Sequence, residues 1–128
     1  MSDVVLDASA LIAYLRNEPG GAEIATTLPN SVISAVNLTE VVTRMIDTGL
    51  SFGQAKEIVT ETSVATIPFD EPQAFAAGEL RIPTRARGLS LGDRACLGLA
   101  RLLGIPALTA DRRWSGLDIG VEIRLIRN

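Results

Sequence analysis

Short β-branched and apolar runs alternate with longer helical patterns along this chain, and that alternation constrains the fold more than any other feature. Val4-Val5-Leu6 reads as a buried strand, followed by a helix through Leu11, Ile12 and Leu15 that stops before Pro19-Gly20-Gly21. A short helix over residues 22–28 leads through Pro29-Asn30 into a strand at Val32-Ile33. The next helix runs over about 36–48, with Gly49 where a residue past a helix end is expected. Ser51 is placed to cap a helix over 54–62, and 64–68 gives a third strand. Asp70, with Gln73 three residues on, reads as a capping box opening another helix. That helix is expected to end before Pro83, leaving a loop that carries Arg85 and Arg87. Ser90 caps a strongly apolar helix through Leu103, ended by Gly104 and Pro106. Ala107-Leu108-Thr109 is a strand, 111–115 a helical turn and 122–126 a last strand. Strands alternating with helices define an α/β chain, a three-layer sandwich in which helices flank a mainly parallel sheet. With no repeat or long linker, residues 1–128 are expected to form one domain.

Composition narrows the chemistry. The chain has no histidine, which removes the commonest general base, the His-dependent triads and nearly every zinc site. Aromatic residues are 4%, too few for the stacking platforms of many single-strand binders. The one cysteine, Cys96, lies in an apolar stretch and reads as a small buried thiol, with no sign of an oxidising compartment. No apolar run approaches the length needed to span a bilayer, and the N-terminus lacks a basic leader, so a soluble cytoplasmic protein is expected. The net charge of −3 weighs mildly against a phosphate-rich partner, but eleven of the twelve basic residues are arginine. Arg81, Arg85, Arg87 and Arg94 cluster around one acidic segment, and Arg112 and Arg113 follow another.

Four acidic residues stand out. Asp7 and Asp111 each follow a strand and open a helix, at the end of an open α/β sheet where ligands bind. Either could be a simple helix cap. Asp93 sits in the first turn of the most apolar helix, three residues after Ser90, where it could complete a capping turn. Glu40 falls opposite the stripe of Leu38, Val41, Val42, Met45 and Ile46; it also stands four residues before Arg44, the favourable order for a surface ion pair. Ser9 and Thr109 each lie two residues from an aspartate and could orient it, or serve as ordinary caps. Several carboxylates without histidine or cysteine suit a hard cation such as Mg²⁺ or Mn²⁺, and such a site serves phosphate-ester hydrolysis. Gly88-Leu89-Ser90-Leu91-Gly92 matches a G-x-S-x-G nucleophile elbow by letter only: no strand precedes it and no histidine exists to complete a triad.

The segments VVLDASALIAYL, SAVNLTEVV, LSLGDRACLGLA and LTADRRW resemble, in order and spacing, the acidic motifs of PIN-domain ribonucleases, above all the VapC-type toxins of toxin–antitoxin modules. The resemblance covers nearly the whole chain. It implies that Asp7, Glu40, Asp93 and Asp111 form an acidic quartet holding one or two Mg²⁺ or Mn²⁺ ions, with Ser9 and Thr109 as supporting hydroxyls. It further implies endonucleolytic RNA cleavage, a homodimer, and a VapB-like antitoxin through which alone the protein meets DNA. Arg85, Arg87, Arg94, Arg112 and Arg113 lie near the quartet in sequence; they could hold RNA phosphates, pair with antitoxin carboxylates, or simply be solvated. Two other classes compete: a catalytically idle PIN-like binding module, and a metal-dependent phosphatase of the haloacid dehalogenase type. The latter resembles D-x-D, where this chain has Asp7-Ala8-Ser9.

Overall fold

A computed structural model describes residues 2–128. Five strands form one sheet in the order β3-β2-β1-β4-β5, with every neighbouring pair parallel. They are β1 (Val4–Leu6), β2 (Ser31–Ser34), β3 (Ala65–Ile67), β4 (Ala107–Thr109) and β5 (Ile123–Leu125). The helices are α1 (Ala8–Leu15), α2 (Gly21–Ile24), α3 (Ala35–Asp47), α4 (Phe52–Glu61), α5 (Glu71–Glu79), α6 (Arg81–Thr84) and α7 (Leu91–Leu103). Parallel neighbours require crossovers, and the helices supply them while covering both faces of the sheet.

The two-residue period of the strands explains the layering. Val4 and Leu6 point into one core with Leu11, Ile33, Val41 and Met45. Val5 and Val32 point into the other with Leu80, Leu89, Leu97, Leu99 and Trp114. Both faces of the central strands are therefore dry, and the strands read as continuous apolar runs rather than alternating ones. Truncating a side chain such as the fully buried Leu97 to alanine is expected to cost about 2–5 kcal/mol.

The three-layer α/β expectation holds, and most caps do too. Ser51 and Gln54 form a reciprocal capping box, and Gly104 ends α7 at φ 68°. Three local expectations need correction. The short helix placed over 22–28 is instead α2 followed by a separate turn of 3₁₀ helix at Leu28–Asn30. Asp70 caps α5 by accepting the Gln73 N–H, but the reverse bond of a capping box is missing. The supposed loop carrying Arg85 and Arg87 is helical: α6 contains Pro83 and continues as a 3₁₀ turn, Arg85–Arg87. Proline is tolerated there because first-turn N–H groups need no intrahelical partner, so Pro83 did not end the helical path. No described helix is long and apolar enough to cross a membrane.

Candidate active site

The strand order fixes where a ligand can bind. From β1 the chain builds outward through β2 and β3, whereas β4 and β5 extend the sheet on the other side. The crevice between these two directions opens at the carboxyl ends of β1 and β4. Asp7 is the residue after β1, and Asp111 lies two residues after β4. Glu40 reaches the crevice from α3 and Asp93 from the first turn of α7. All four line one cleft of about 450 Å³, together with Ser9, Glu18, Arg44 and Arg127.

Each acid is held differently. Asp7 occupies the N-cap position of α1 but makes no side-chain cap bond. Its Oδ2 instead accepts the Ser9 hydroxyl at 2.6 Å and the Thr109 hydroxyl at 2.8 Å. Asp93 does form the reciprocal capping box, accepting the Ser90 N–H at 2.8 Å while Ser90 Oγ accepts its own N–H at 3.2 Å. Capping and cleft lining are thus compatible, since only Oδ2 is engaged. Asp111 caps the 3₁₀ turn Arg112–Trp114 by accepting the Arg113 N–H at 2.9 Å. Glu40 forms no ion pair with Arg44 among the described residues; its Oε1 accepts the Asn37 amide at 2.8 Å. Asn37 escaped the sequence reading, although its place four residues before Val41 and eight before Met45 puts a polar group on a buried stripe, a readable signal.

The arginines separate once placed. Arg113 grips Asp111, Nη2 to Oδ2 at 2.7 Å, and reaches Asp93 Oδ2 at 3.3 Å. Arg87 donates to the carbonyls of Arg113 and Ser115, and so braces the turn that carries Arg113 rather than facing the cleft. Arg94 turns the other way and donates to the Ala77 carbonyl of α5 at 3.0 Å; adjacency to Asp93 misled, because one residue rotates a helix by about 100°. Arg85 and Arg112 are exposed and lie outside the cleft lining. Arg44 and Arg127 do line it, and Arg127 pairs with Glu18 at 3.6 Å.

The electrostatics follow from burial. Asp7 is 4% exposed, and desolvation pushes its carboxyl up to about 6; the Ser9 and Thr109 bonds oppose the rise, while Asp93 and Glu40 add to it. Burial also raises Glu40, against the Asn37 bond and with help from Asp93. Burial would raise Asp111 as well, but the bonds and charge of Arg113 outweigh it, so that carboxyl lies below its usual value. The buried Cys96 thiol is pushed well up by desolvation and is inert. Five carboxylates face two guanidiniums in the cleft lining, and Arg113 pairs with two of these acids from beside it, so the cleft keeps an excess of negative charge. Among the described residues, however, no three acidic side chains already stand where they could hold a metal ion. Oxygen donors of this kind fit a hard divalent ion in chemistry; in geometry, Arg113 draws Asp93 and Asp111 together, while Asp7 and Glu40 are held by hydroxyls and an amide.

Fold and cleft together define an open α/β domain with an acidic crevice at its topological switch point. The chain belongs to the PIN domain family, whose model matches residues 4–120. Comparison with curated proteins gives no match. Among solved structures, the chain is similar to one from the DNA-bound VapBC of Salmonella typhimurium, with TM-score 0.77 and 19% identity over 98% of this chain and 99% of that one. It is also similar to VapBC2 of Rickettsia felis bound to a promoter DNA fragment, with TM-score 0.74 and 14% identity over 94% and 96%. A third likeness is to VapC20 of Mycobacterium tuberculosis, a toxin that cleaves the sarcin–ricin loop, with TM-score 0.73 and 19% identity over 94% and 99%. At these identities the likeness is one of fold. The family match sets the phosphatase alternative aside.

Proposed function

We propose that this protein is a Mg²⁺- or Mn²⁺-dependent endoribonuclease, the toxin of a toxin–antitoxin pair acting in the cytoplasm. One observation carries the reading: acids from four separate segments of the chain, Asp7, Glu40, Asp93 and Asp111, converge on one crevice without histidine or a reactive cysteine. Evolutionary family and fold support it, because PIN domains are generally nucleases and the similar folds include a toxin that cleaves RNA.

The four acids would hold one or two divalent ions, with Asp7 kept in place by Ser9 and Thr109. When bound, such an ion lowers the pKa of water and neutralises charge on a scissile phosphodiester. The residues supply the rest. Ser9 and Thr109 spend their protons on one oxygen of Asp7, which keeps that carboxylate oriented and leaves its other oxygen for the cleft. Arg44 on the cleft wall is placed to take a phosphate of the RNA strand. Arg113 holds both oxygens of Asp111 and must leave before that acid can turn to a cation, whereas Asp93 keeps Oδ1 free beside it; once released, the planar guanidinium suits a phosphate as well. An antitoxin of the VapB kind fits the VapBC likeness, as does contact with DNA through that partner alone. A homodimer is consistent with exposed Phe75, Ile82, Leu102 and Leu103, apolar surface that a second copy would cover.

The test is cleavage of total cellular RNA by the purified protein with Mg²⁺ or Mn²⁺ and with EDTA, beside Asp7→Asn. Discrete cation-dependent fragments that disappear in the variant are expected, and their sequenced ends would name the target. No cutting by folded, antitoxin-free protein would instead favour a binding module.

A further inference from the structure

Asn37 and Gly92 meet Glu40 in an arrangement that packing alone does not explain. Asn37 is fully buried on α3, one turn before Glu40. Its Nδ2 donates to Glu40 Oε1 at 2.8 Å and to the Gly92 carbonyl of α7 at 2.9 Å. Both partners are acceptors with no proton to give, so only the NH₂ end of the amide can face them. That choice leaves Asn37 Oδ1 buried with no partner. A buried acceptor without a hydrogen bond is costly, and a hydrophobic residue at this stripe position would avoid it. The chain keeps the amide, and the amide's two protons go to the acid and to the wall of the cleft.

Gly92 supplies the other half. A Cβ built there would lie 2.6 Å from Glu40 Cδ and overlap both carboxylate oxygens. Its backbone is not among the left-handed glycines, so what the missing side chain provides is room for the Glu40 carboxylate in this one position, which a Cβ would push aside. The second glycine of the spurious G-x-S-x-G match therefore has a use unrelated to a nucleophile. Glu40 is otherwise a long, exposed side chain with several free rotations; seated over Gly92 and tied by Asn37, it is fixed one residue away from Asp93.

We propose that Asn37 is a positioning residue for Glu40, and that Asn37 and Gly92 form a seat which preorganises this carboxylate for the cation. The consequence for catalysis rests on the nuclease reading; the seat itself does not. A partner of this kind, which orients a ligand without touching the ion, typically changes metal affinity by about 10–100-fold when removed.

Two double-mutant cycles test it without RNA. In the first, Mn²⁺ binding is titrated by electron paramagnetic resonance for wild type, Asn37→Ala, Glu40→Ala and the double variant. Asn37→Ala should weaken Mn²⁺ by roughly 10-fold or more in the presence of Glu40 and have no further effect in its absence. Equal weakening in both backgrounds would mean a general structural role and overturn the proposal. The second cycle leaves Asn37 intact in case its removal prevents folding. Gly92→Ala should give a lower melting temperature relative to its parent when Glu40 is present than in the Glu40→Ala background, because only with Glu40 must a carboxylate leave the seat, against the general gain of alanine over glycine in a helix. An equal change with and without Glu40 would remove the seat. If wild type binds Mn²⁺ but cuts no RNA, the nuclease reading fails and the seat stands. If it cuts RNA while Asn37→Ala binds Mn²⁺ normally, the reverse holds. If wild type takes up no Mn²⁺, the preorganising role for Asn37 is lost and the melting cycle decides the contact alone.

Discussion

Asp7 and Asp111 are the same residue type at the same kind of position, each just past a strand flanking the switch point, yet they are held in opposite ways. Asp7 is buried and receives two neutral hydroxyls; its carboxyl is raised to about 6. Asp111 is more exposed and receives a guanidinium; its carboxyl is lowered. Hydroxyls orient a carboxylate without neutralising it, whereas an arginine does both. The Asp7 wall therefore carries charge that the fold leaves uncompensated, and the Asp111 wall carries its own counter-ion. A cation entering the cleft gains most at Asp7 and displaces something at Asp111.

The largest expected effect breaks the comparison at Asp7. With its folded carboxyl near 6 and its unfolded value at 3.8, the native state holds a proton between those values that the unfolded chain has released. Rising pH then favours unfolding across that window, and the penalty is complete above pH 6. The magnitude is about 3 kcal/mol. Denaturant melts in EDTA should therefore show Asp7→Asn gaining up to about that much on wild type between pH 4 and pH 8, whatever constant offset the amide introduces. Raised Glu40 acts in the same direction but is common to both proteins. A difference between variant and wild type that stays flat from pH 4 to pH 8 would mean Asp7 is not carrying buried charge.

Much of this contrast was legible beforehand, and what was not has specific causes. Short strand runs followed within two residues by an aspartate, Val4–Leu6 before Asp7 and Ala107–Thr109 before Asp111, put both acids at strand ends. Ser90 and Gly104 marked α7 through capping chemistry, which acts locally. Which acid would be buried and which paired depends on contacts 102 residues apart in sequence, such as Thr109 on Asp7, and no local pattern encodes those. The same limit explains the arginines. Proximity in sequence grouped Arg94 with Arg113, but helix rotation sends one to α5 and the 3₁₀ turn brings the other onto Asp111. Asn37 is hidden for another reason: the α3 stripe is defined by its apolar members, and a polar residue in register with them carries no hydrophobic signal of its own.

The comparison sharpens at the group that joins the two walls. Thr109 Oγ1 donates to Asp7 Oδ2 and accepts the Asp111 N–H at 3.0 Å, so one buried hydroxyl serves both acids. Thr109→Val keeps the shape and removes both bonds, leaving the Asp111 N–H without its partner and Asp7 Oδ2 with the Ser9 hydroxyl alone. A loss of about 1–3 kcal/mol is expected in denaturant melts. Because that hydroxyl opposes the rise at Asp7, the variant should also lift the carboxyl further above 6, visible by carbon NMR of the aspartate side chains. Ser9→Ala should move Asp7 in the same direction but spare the Thr109 bond to the Asp111 backbone. If Thr109→Val leaves the Asp7 titration where it was, the hydroxyl is structural only.

The smallest effect on stability, and the one with the most revealing sign, lies at Arg113. Its pair with Asp111 lowers the folded carboxyl, so it stabilises the protein above the unfolded value of 3.8 and loses that contribution as pH falls through the lower folded value. Arg113 is 52% exposed in its side chain, so solvent screens the pair and Arg113→Ala should cost less than about 1 kcal/mol at pH 7. On cation binding the same variant should act in the opposite direction. Removing the guanidinium frees oxygens of Asp93 and Asp111 from an internal competitor, and Mn²⁺ affinity should rise by roughly fivefold, the equivalent of about 1 kcal/mol. RNA binding should weaken at the same time if the released arginine takes a phosphate. Tighter Mn²⁺ with weaker RNA would define Arg113 as a resident counter-ion that changes partners when the cleft is loaded. Weaker Mn²⁺ would mean that Arg113 organises the two acids for the ion, and that the walls of the cleft differ in exposure but not in role.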